Sequence, residues 1–464
     1  MQTNTLRAIA LGIGILGSAS SLFGVGPQID PSTVHFAAEG PKAVITYTLS
    51  GAPAIVTMEV QTNTLDNGAG EWVDIGGWNV QHVKGDVNRL VRDVGTVRTI
   101  EWKAYKDIPN RKIGEGRIRA VLTAWATNAP PDWLVVGLTK QDDVRFYAST
   151  NYLPHGFGDY SYKTTELLMR RIPAAGVVWT MGSDPVESAY DATRDIRHRV
   201  MLTEDYYMGV YEVTQGQYTN MCDKVNYSFW QFTRKSEFDM MSCDYWRDIT
   251  DTSVLPVDNV GMAALRGMTG KYDNPSDLWF PRDGHKLAPT SAIGQLRAKS
   301  GLDGFDLPTS AQWEFACRAG TTSAFNHGKN TDVAQVAWYH GDSGEVKLLS
   351  DGKIYCPTHP VGEKQPNAWL LYDMHGNVEE YCNGRTPAGD EYVATFAPDW
   401  AKGGVTVDPD DGLEATGSPT CCPKRGGSVQ ENVNVARSGA NNVGGVQYSD
   451  KFIGFRLWLP AKFN

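Results

Sequence analysis

Between Gln28 and Ala148 apolar and polar residues alternate in short runs: KAVITYTL (Lys42 to Leu49), AIVTMEVQT (Ala54 to Thr62), TIEWKAYK (Thr99 to Lys106) and IRAVLTAWA (Ile118 to Ala126). A period of two, rich in β-branched and aromatic residues, sets one face of each run against a core and the other in water, which predicts half-buried strands. Turn sequences such as SGAP (Ser50 to Pro53) and DNGAG (Asp66 to Gly70) separate the runs. The pattern predicts an antiparallel, Ig-like β-sandwich over residues 28–150. Gly- and aromatic-rich residues 151–171, including LPHGFGDYSYK (Leu153 to Lys163), read as a linker. Beyond it the alternation gives way to long loops dense in Gly, Trp and Asn, with short helices between them. SAQWEFACRAG (Ser310 to Gly320) is the clearest helix. Thr309 or Ser310 can cap its free amides, and Gly320 can end it in the left-handed conformation.

Composition narrows the function classes. A chain of 464 residues exceeds one ordinary core and suggests two or three domains. Acidic residues outnumber basic ones 53 to 43, so no extended basic surface for a phosphate backbone is expected, and nucleic acid is not an expected partner. Residues 1–24 carry one positive charge at Arg7, an apolar run from Ala8 to Leu16 and small residues around Ser18 to Ser20, the layout of a secretory signal. The run falls short of the ~20 apolar residues of a membrane span. The expectation is therefore an exported, extracellular or cell-surface protein with no stable membrane span. Seven cysteines suit such a chain with a few disulfides and at least one cysteine left unpaired, the connectivity remaining open. No CxxC pair, HExxH motif or Cys/His cluster with zinc spacing is present.

A series of segments in the second region carries a family resemblance. They are IPAAGVVWTMGSD (Ile172 to Asp184), YYMGVYEVTQGQY (Tyr206 to Tyr218), LPVDNVGMAAL (Leu255 to Leu265), FDLPTSAQWEFACRAG (Phe305 to Gly320), THPVGEKQPNAWLLYDMHGNVEEYC (Thr358 to Cys382), RGGS (Arg425 to Ser428) and IGFRLW (Ile453 to Trp458). In this order they resemble the formylglycine-generating enzyme, or sulfatase-modifying factor, family. The resemblance implies an α+β protein whose residues 172–464 adopt a C-type-lectin-like fold with little regular secondary structure. Active members use two cysteines between the GGS segment and the final GFR to bind copper, because soft thiolates select Cu(I). Here Ser428 to Asn464 contains no cysteine, and Val429, Gln430, Glu431, Asn432 and Val433 follow the serine. Cys421 and Cys422 lie on the wrong side of RGGS, and adjacent residues cannot easily aim two thiolates at one metal. The resemblance thus implies neither copper nor the formylglycine-generating oxidase reaction. Iron-dependent sulfoxide synthases of the same family add a histidine-rich helical domain, and nothing before Ile172 is similar to it.

The resemblance also implies a calcium site in YDMHGNVEEY (Tyr372 to Tyr381), formed by Asp373, the backbone carbonyls of Gly376 and Val378, and Glu380. The competing reading makes Glu380 a buried carboxylate paired with Arg437 or Arg456. Glu379 stands where the family usually has Trp, and AWYHGDSG (Ala337 to Gly344) lacks the asparagine of the family's other calcium site. GDSGE (Gly341 to Glu345) mimics a serine-protease loop without a triad around it, and the isolated His359 and His375 read as packing residues. The expected function is a non-catalytic structural or assembly protein of the cell surface, self-associating or forming fibres. An apolar N-terminal segment added as a strand to a neighbour's sandwich would suit this. The alternative is a lectin-like binder of a glycan or of another surface protein. Its stacking aromatics would be Trp338, Tyr339 and His340, or Tyr152, Phe157, Tyr160 and Tyr162.

Overall fold

The computed structural model describes residues 26–463 apart from 66–67, 94–96, 110–116, 193, 240–242, 268–286, 330, 385–403, 410–420 and 446–447. The signal-like residues 1–24 lie outside this range. The chain divides into two compact units: one combines Met1–Val135, Val144–Asp159 and Ala461–Asn464, the other Val136–Asp143 and Tyr160–Pro460.

The first unit is the sandwich. Its strands are β1 (Gln28–Ile29), β2 (His35–Glu39), β3 (Lys42–Ser50), β4 (Ala54–Asn63), β5 (Trp72–Asp74), β6 (Val83–Gly85), β7 (Arg89–Val91), β8 (Val97–Trp102) and β9 (Ile118–Ala126). In one sheet β1 and β2 pair with the same edge of β3, and β8 and β6 follow on its other side. In the second, β4 lies between β9 and the short strands β5 and β7. β3 alternates as its sequence predicts, with Ala43, Ile45, Tyr47 and Leu49 fully buried. With Ile100 and Trp102 they meet Val56, Met58, Ala120 and Leu122 of the facing sheet in one core. Each fully buried Ile, Leu or Val contributes about 1.5–3 kcal/mol.

β4 departs from the expected half-buried pattern, because Ala54 to Val60 are all buried. Its outward residues are covered too: Trp125 Nε1 donates to Thr57 Oγ1 at 2.9 Å, and the Tyr152 hydroxyl, which donates to Asp74 Oδ2 at 2.7 Å, lies near Glu59. Apolar alternation records only the face that meets the main core. The second cover comes from residues distant in sequence.

The second unit has short elements and long connections. Glu166–Ile172 pairs with Tyr206–Gly209, which pairs with Trp458–Pro460, all antiparallel. This first strand occupies the end of the expected linker, with Leu167, Leu168, Met169 and Ile172 buried. The strands Asn442–Gly445, Cys421–Arg425, Glu379–Tyr381 and Ile453–Phe455 form a mixed sheet whose last pair is parallel.

The helix Ser310–Arg318 begins at Thr309 with a full capping box to Gln312 and ends at Ala319 in the left-handed conformation, φ 44°, one residue before Gly320. Nearly all its residues are buried, so its charged groups need partners. Glu314 Oε1 accepts from Arg318 Nε at 2.8 Å, and Glu314 Oε2 lies 3.1 Å from Arg425.

The expected disulfides do not form among the described residues. Cys222, Cys243, Cys317, Cys356, Cys382 and Cys422 are buried thiols. Cys317 Sγ lies 3.6 Å from Ser438 Oγ, while Cys222 and Cys422 donate to the carbonyls of Tyr218 and Gly444. The side chain of Cys421 lies outside the described set. Among the described residues no helix is long and apolar enough to cross a membrane.

Candidate functional site

The sequence-predicted residues meet where the Glu379–Tyr381 strand enters the mixed sheet. The turn before it is tightly constrained. Asp373, Gly376 and Asn377 all have positive φ, 56°, 83° and 61°. A Cβ on Gly376 would lie 1.6 Å from the Trp338 carbonyl oxygen, so only glycine fits. Asn377 is fully buried and ties the turn down: its Oδ1 accepts from His359 N–H at 2.9 Å and its Nδ2 donates to His359 O at 3.1 Å.

Glu380 is an ion-pair residue. Arg456 Nη2 donates to its Oε1 at 2.8 Å, Arg456 Nε reaches both oxygens at 3.1 and 3.2 Å, and Trp313 Nε1 donates to Oε2 at 2.7 Å. Arg456 also donates to the carbonyls of Gly209 and Tyr372, and it is fully buried. Arg437 instead binds Glu187 and Asp195, which fastens the loop after Ser183. Between the two arginines considered from sequence, Glu380 therefore takes Arg456.

Asp373 is different. Its Oδ2 accepts from Gly362 N–H at 2.6 Å, and its Oδ1 is buried with no hydrogen-bond partner. Close by stands a carboxylate that sequence reasoning missed. Glu212 is fully buried, accepting from Val378 N–H at 3.0 Å and Asn377 Nδ2 at 2.8 Å. Its only signal in the sequence is an acid inside the apolar run Val210 to Val213. Burial, then the charges of Asp373 and Glu380, push the Glu212 carboxyl well above its usual range. Burial likewise pushes Asp373 up to about 6. The carboxylates Glu212, Asp373 and Glu380 thus share Arg456 as their common positive neighbour, with Lys163 a further one for Asp373.

The orphan Asp373 Oδ1 suits a hard cation, which takes oxygen ligands. Glu380 does not, because N–H donors occupy both of its oxygens. Among the described residues no three His, Cys, Asp or Glu side chains are placed to hold a metal. Any ion here would rest on Asp373 and backbone oxygen.

The RGGS segment is built into the fold next to this turn. Arg425 donates to Ser310 Oγ at 2.6 Å and to Ala440 O at 3.0 Å. Gly426, φ 90°, accepts from Gly376 N–H at 2.7 Å and backs onto Trp313. Val429 is fully buried and Gln430 Oε1 accepts from Cys356 N–H at 3.1 Å, while the Glu431 carbonyl takes His340 N–H. Glu379 is also buried, bonded to Lys424 Nζ and to Asn442 Nδ2. Burial pushes its carboxyl up to about 7 against the pull of Lys424. Burial pushes the thiols of Cys317 and Cys356 up to about 12 and about 11, the reverse of an activated thiolate.

The remaining candidates are packing residues. His375 Nε2 accepts from Asn326 N–H at 3.1 Å, its Nδ1 lies 2.6 Å from Ala436 O, and burial pushes its pKa down to about 4. His359 stacks on Trp338 with ring centroids 3.6 Å apart. Lys364 Nζ covers that tryptophan at 3.6 Å from the ring centroid, so neither face is open to a sugar. Tyr162 is fully buried, whereas Tyr160 is 56% exposed with its hydroxyl on Asp251. Ser343 is buried and its hydroxyl donates to Tyr339 O.

The model of the sulfatase-modifying factor enzyme 1-like domain matches residues 169–460. The chain belongs to this family. A chaperone protein LppX of Paenibacillus barcinonensis is 29% identical over 189 residues, covering 38% of this chain and 61% of that protein. The formylglycine-generating enzyme of Mycobacterium tuberculosis is 35% identical over 111 residues, 24% of this chain and 36% of the enzyme. Among solved structures, PvdO from Pseudomonas aeruginosa is similar with a TM-score of 0.41 and 21% identity, covering 63% of this chain and 94% of PvdO. The chain spans less than two thirds of these two curated relatives. Within the matched residues, the GNV turn and RGGS are joined by the Gly376 N–H to Gly426 O bond, and Arg456 of GFR holds Glu380.

Proposed function

We propose that this is an exported, non-catalytic surface protein in which the sulfatase-modifying factor domain serves as a scaffold for assembly. The observation that supports this reading is the segment after RGGS. It carries no cysteine from Ser428 to Asn464, and its leading side chains are spent on packing and on backbone hydrogen bonds. Copper chemistry by this family needs a pair of accessible thiolates there. Incubation with copper, oxygen and a sulfatase-type cysteine peptide should leave the peptide unchanged by mass spectrometry. Appearance of the aldehyde product would return the chain to the enzymes.

The proposed cofactor is calcium, bound at Asp373 with the carbonyls of Gly376 and Val378. The orphan oxygen of Asp373 supports it, and Glu380 stays with Arg456.

A further inference from the structure

The sandwich leaves one edge open. Strand β2 pairs with β3 from Glu39↔Lys42 to His35↔Thr46, and no strand among the described residues pairs with its other side. Its residues are exposed except Phe36, which packs on the core. An edge strand turns the N–H and C=O groups of alternate residues outward, and natural sheets guard such edges with lysine, proline or a bulge. HFAAE, the whole of β2, contains no lysine or proline and pairs without a bulge. The opposite edge of the same sheet, β6, is only three residues long and carries Lys84.

We propose that β2 is a self-pairing edge, at which a second copy of this chain adds antiparallel about a two-fold axis through Ala37. Polar complementarity selects both the occupant and the register. In that register His35 faces Glu39 of the second copy, twice, and Phe36 faces its Ala38. An imidazole directly opposite a carboxylate can hydrogen-bond to it, whereas directly opposed like charges oppose pairing. An axis through Glu39 would set two carboxylates against each other. The contact is isologous and closes after two copies. Pro31 before β2 and Pro41 after it hold the ladder to these five residues. A ladder this short buries far less than the ~1,600 Å² of a standard interface, so the dimer is weak and concentration-dependent.

This inference rests on the assembly reading above, and the two can fail separately. Sedimentation equilibrium of the intact chain should show reversible dimers. His35→Glu and Glu39→Lys should each weaken self-association at least tenfold without lowering the melting temperature, since both positions are exposed. An equimolar mixture of these two variants should recover dimers, because each mismatched edge then meets its complement. Assembly that ignores both substitutions would overturn the β2 edge and leave the assembly reading standing. A chain that stays monomeric at every concentration would overturn both.

Discussion

The two units solve the same problem with different interactions. The sandwich is held by an apolar core, in which Ile45, Tyr47, Ile100 and Trp102 of one sheet interdigitate with Val56, Met58 and Leu122 of the other. The sulfatase-modifying factor domain has few long elements, and its loops are held by buried charge: Arg456 on Glu380, Arg437 on Glu187 and Asp195, Arg425 on Glu314, and Lys424 on Glu379. Apolar contacts are non-directional, so a sandwich of this kind accepts modest changes in side-chain shape. A buried guanidinium works only when each of its donors finds an acceptor, so it holds specific carbonyls at specific distances. Arg456 links the Glu379–Tyr381 strand to the carbonyls of Gly209 and Tyr372 in this way. Buried pairs therefore position the loops more than they stabilise the domain.

The largest expected effect follows from cutting such a pair on one side only. Arg456→Ala strands Glu380 in the core and should destabilise the domain by about 3–5 kcal/mol, read from denaturant unfolding. Replacing both partners by apolar residues, Arg456→Met with Glu380→Leu, should recover most of that loss. If the double variant is no better than the single one, the pair contributes stability as well as position, and the contrast between the units weakens.

A smaller effect comes from pH. The folded pKa of Asp373, about 6, lies above its unfolded value of about 3.9, so the folded state binds the proton more tightly. Stability is then fully present below pH ~4 and is lost as pH rises through ~6, up to about 3 kcal/mol from this group. Melting at pH 5 and pH 7.5 should show the drop in the native protein, and Asp373→Asn should reduce it, the remainder coming from the raised carboxyls of Glu379 and Glu212. A native profile that rises over this interval would show that Asp373 ionises favourably in the fold.

Calcium should work against that loss. An ion bound only by the folded state stabilises it by about 2.7 kcal/mol at a hundredfold excess over Kd. Chelation should accordingly lower the melting temperature at pH 7.5. Asp373→Asn should abolish the response, whereas Glu380→Gln should destabilise the domain with or without the ion. Equal melting with calcium and with chelator would leave protonation as the sole answer to the uncompensated carboxylates.

The smallest effect belongs to the sandwich. Ile45→Val should cost about 0.5–1.5 kcal/mol, because one methylene leaves a core able to relax. A loss as large as that of Arg456→Ala would mean that the sandwich is as exacting as its neighbour.

Local chemistry was readable wherever a residue and its neighbours in sequence suffice. The alternation of KAVITYTLS became β3, and Thr309 became the cap of the predicted helix, because pleat period and free amides act within a few residues. The GNV turn and RGGS were also readable, since Gly376, Gly426 and Gly427 adopt left-handed backbone angles that other residues rarely take. Contacts across long separations were not. Glu380 chooses Arg456, 76 residues away, over Arg437, and Glu212 reaches Val378 across 166 residues. Both faces of β4 are buried because Tyr152 returns to cover the outer one. The number of cysteines suggested bridges, yet the six whose side chains are described are buried thiols. Sequence by itself determined the strands and the capped helix, each a matter of residue type and near neighbours. Tertiary structure alone decided which charge meets which, because a buried ion must take the partner that the fold places within a few ångströms.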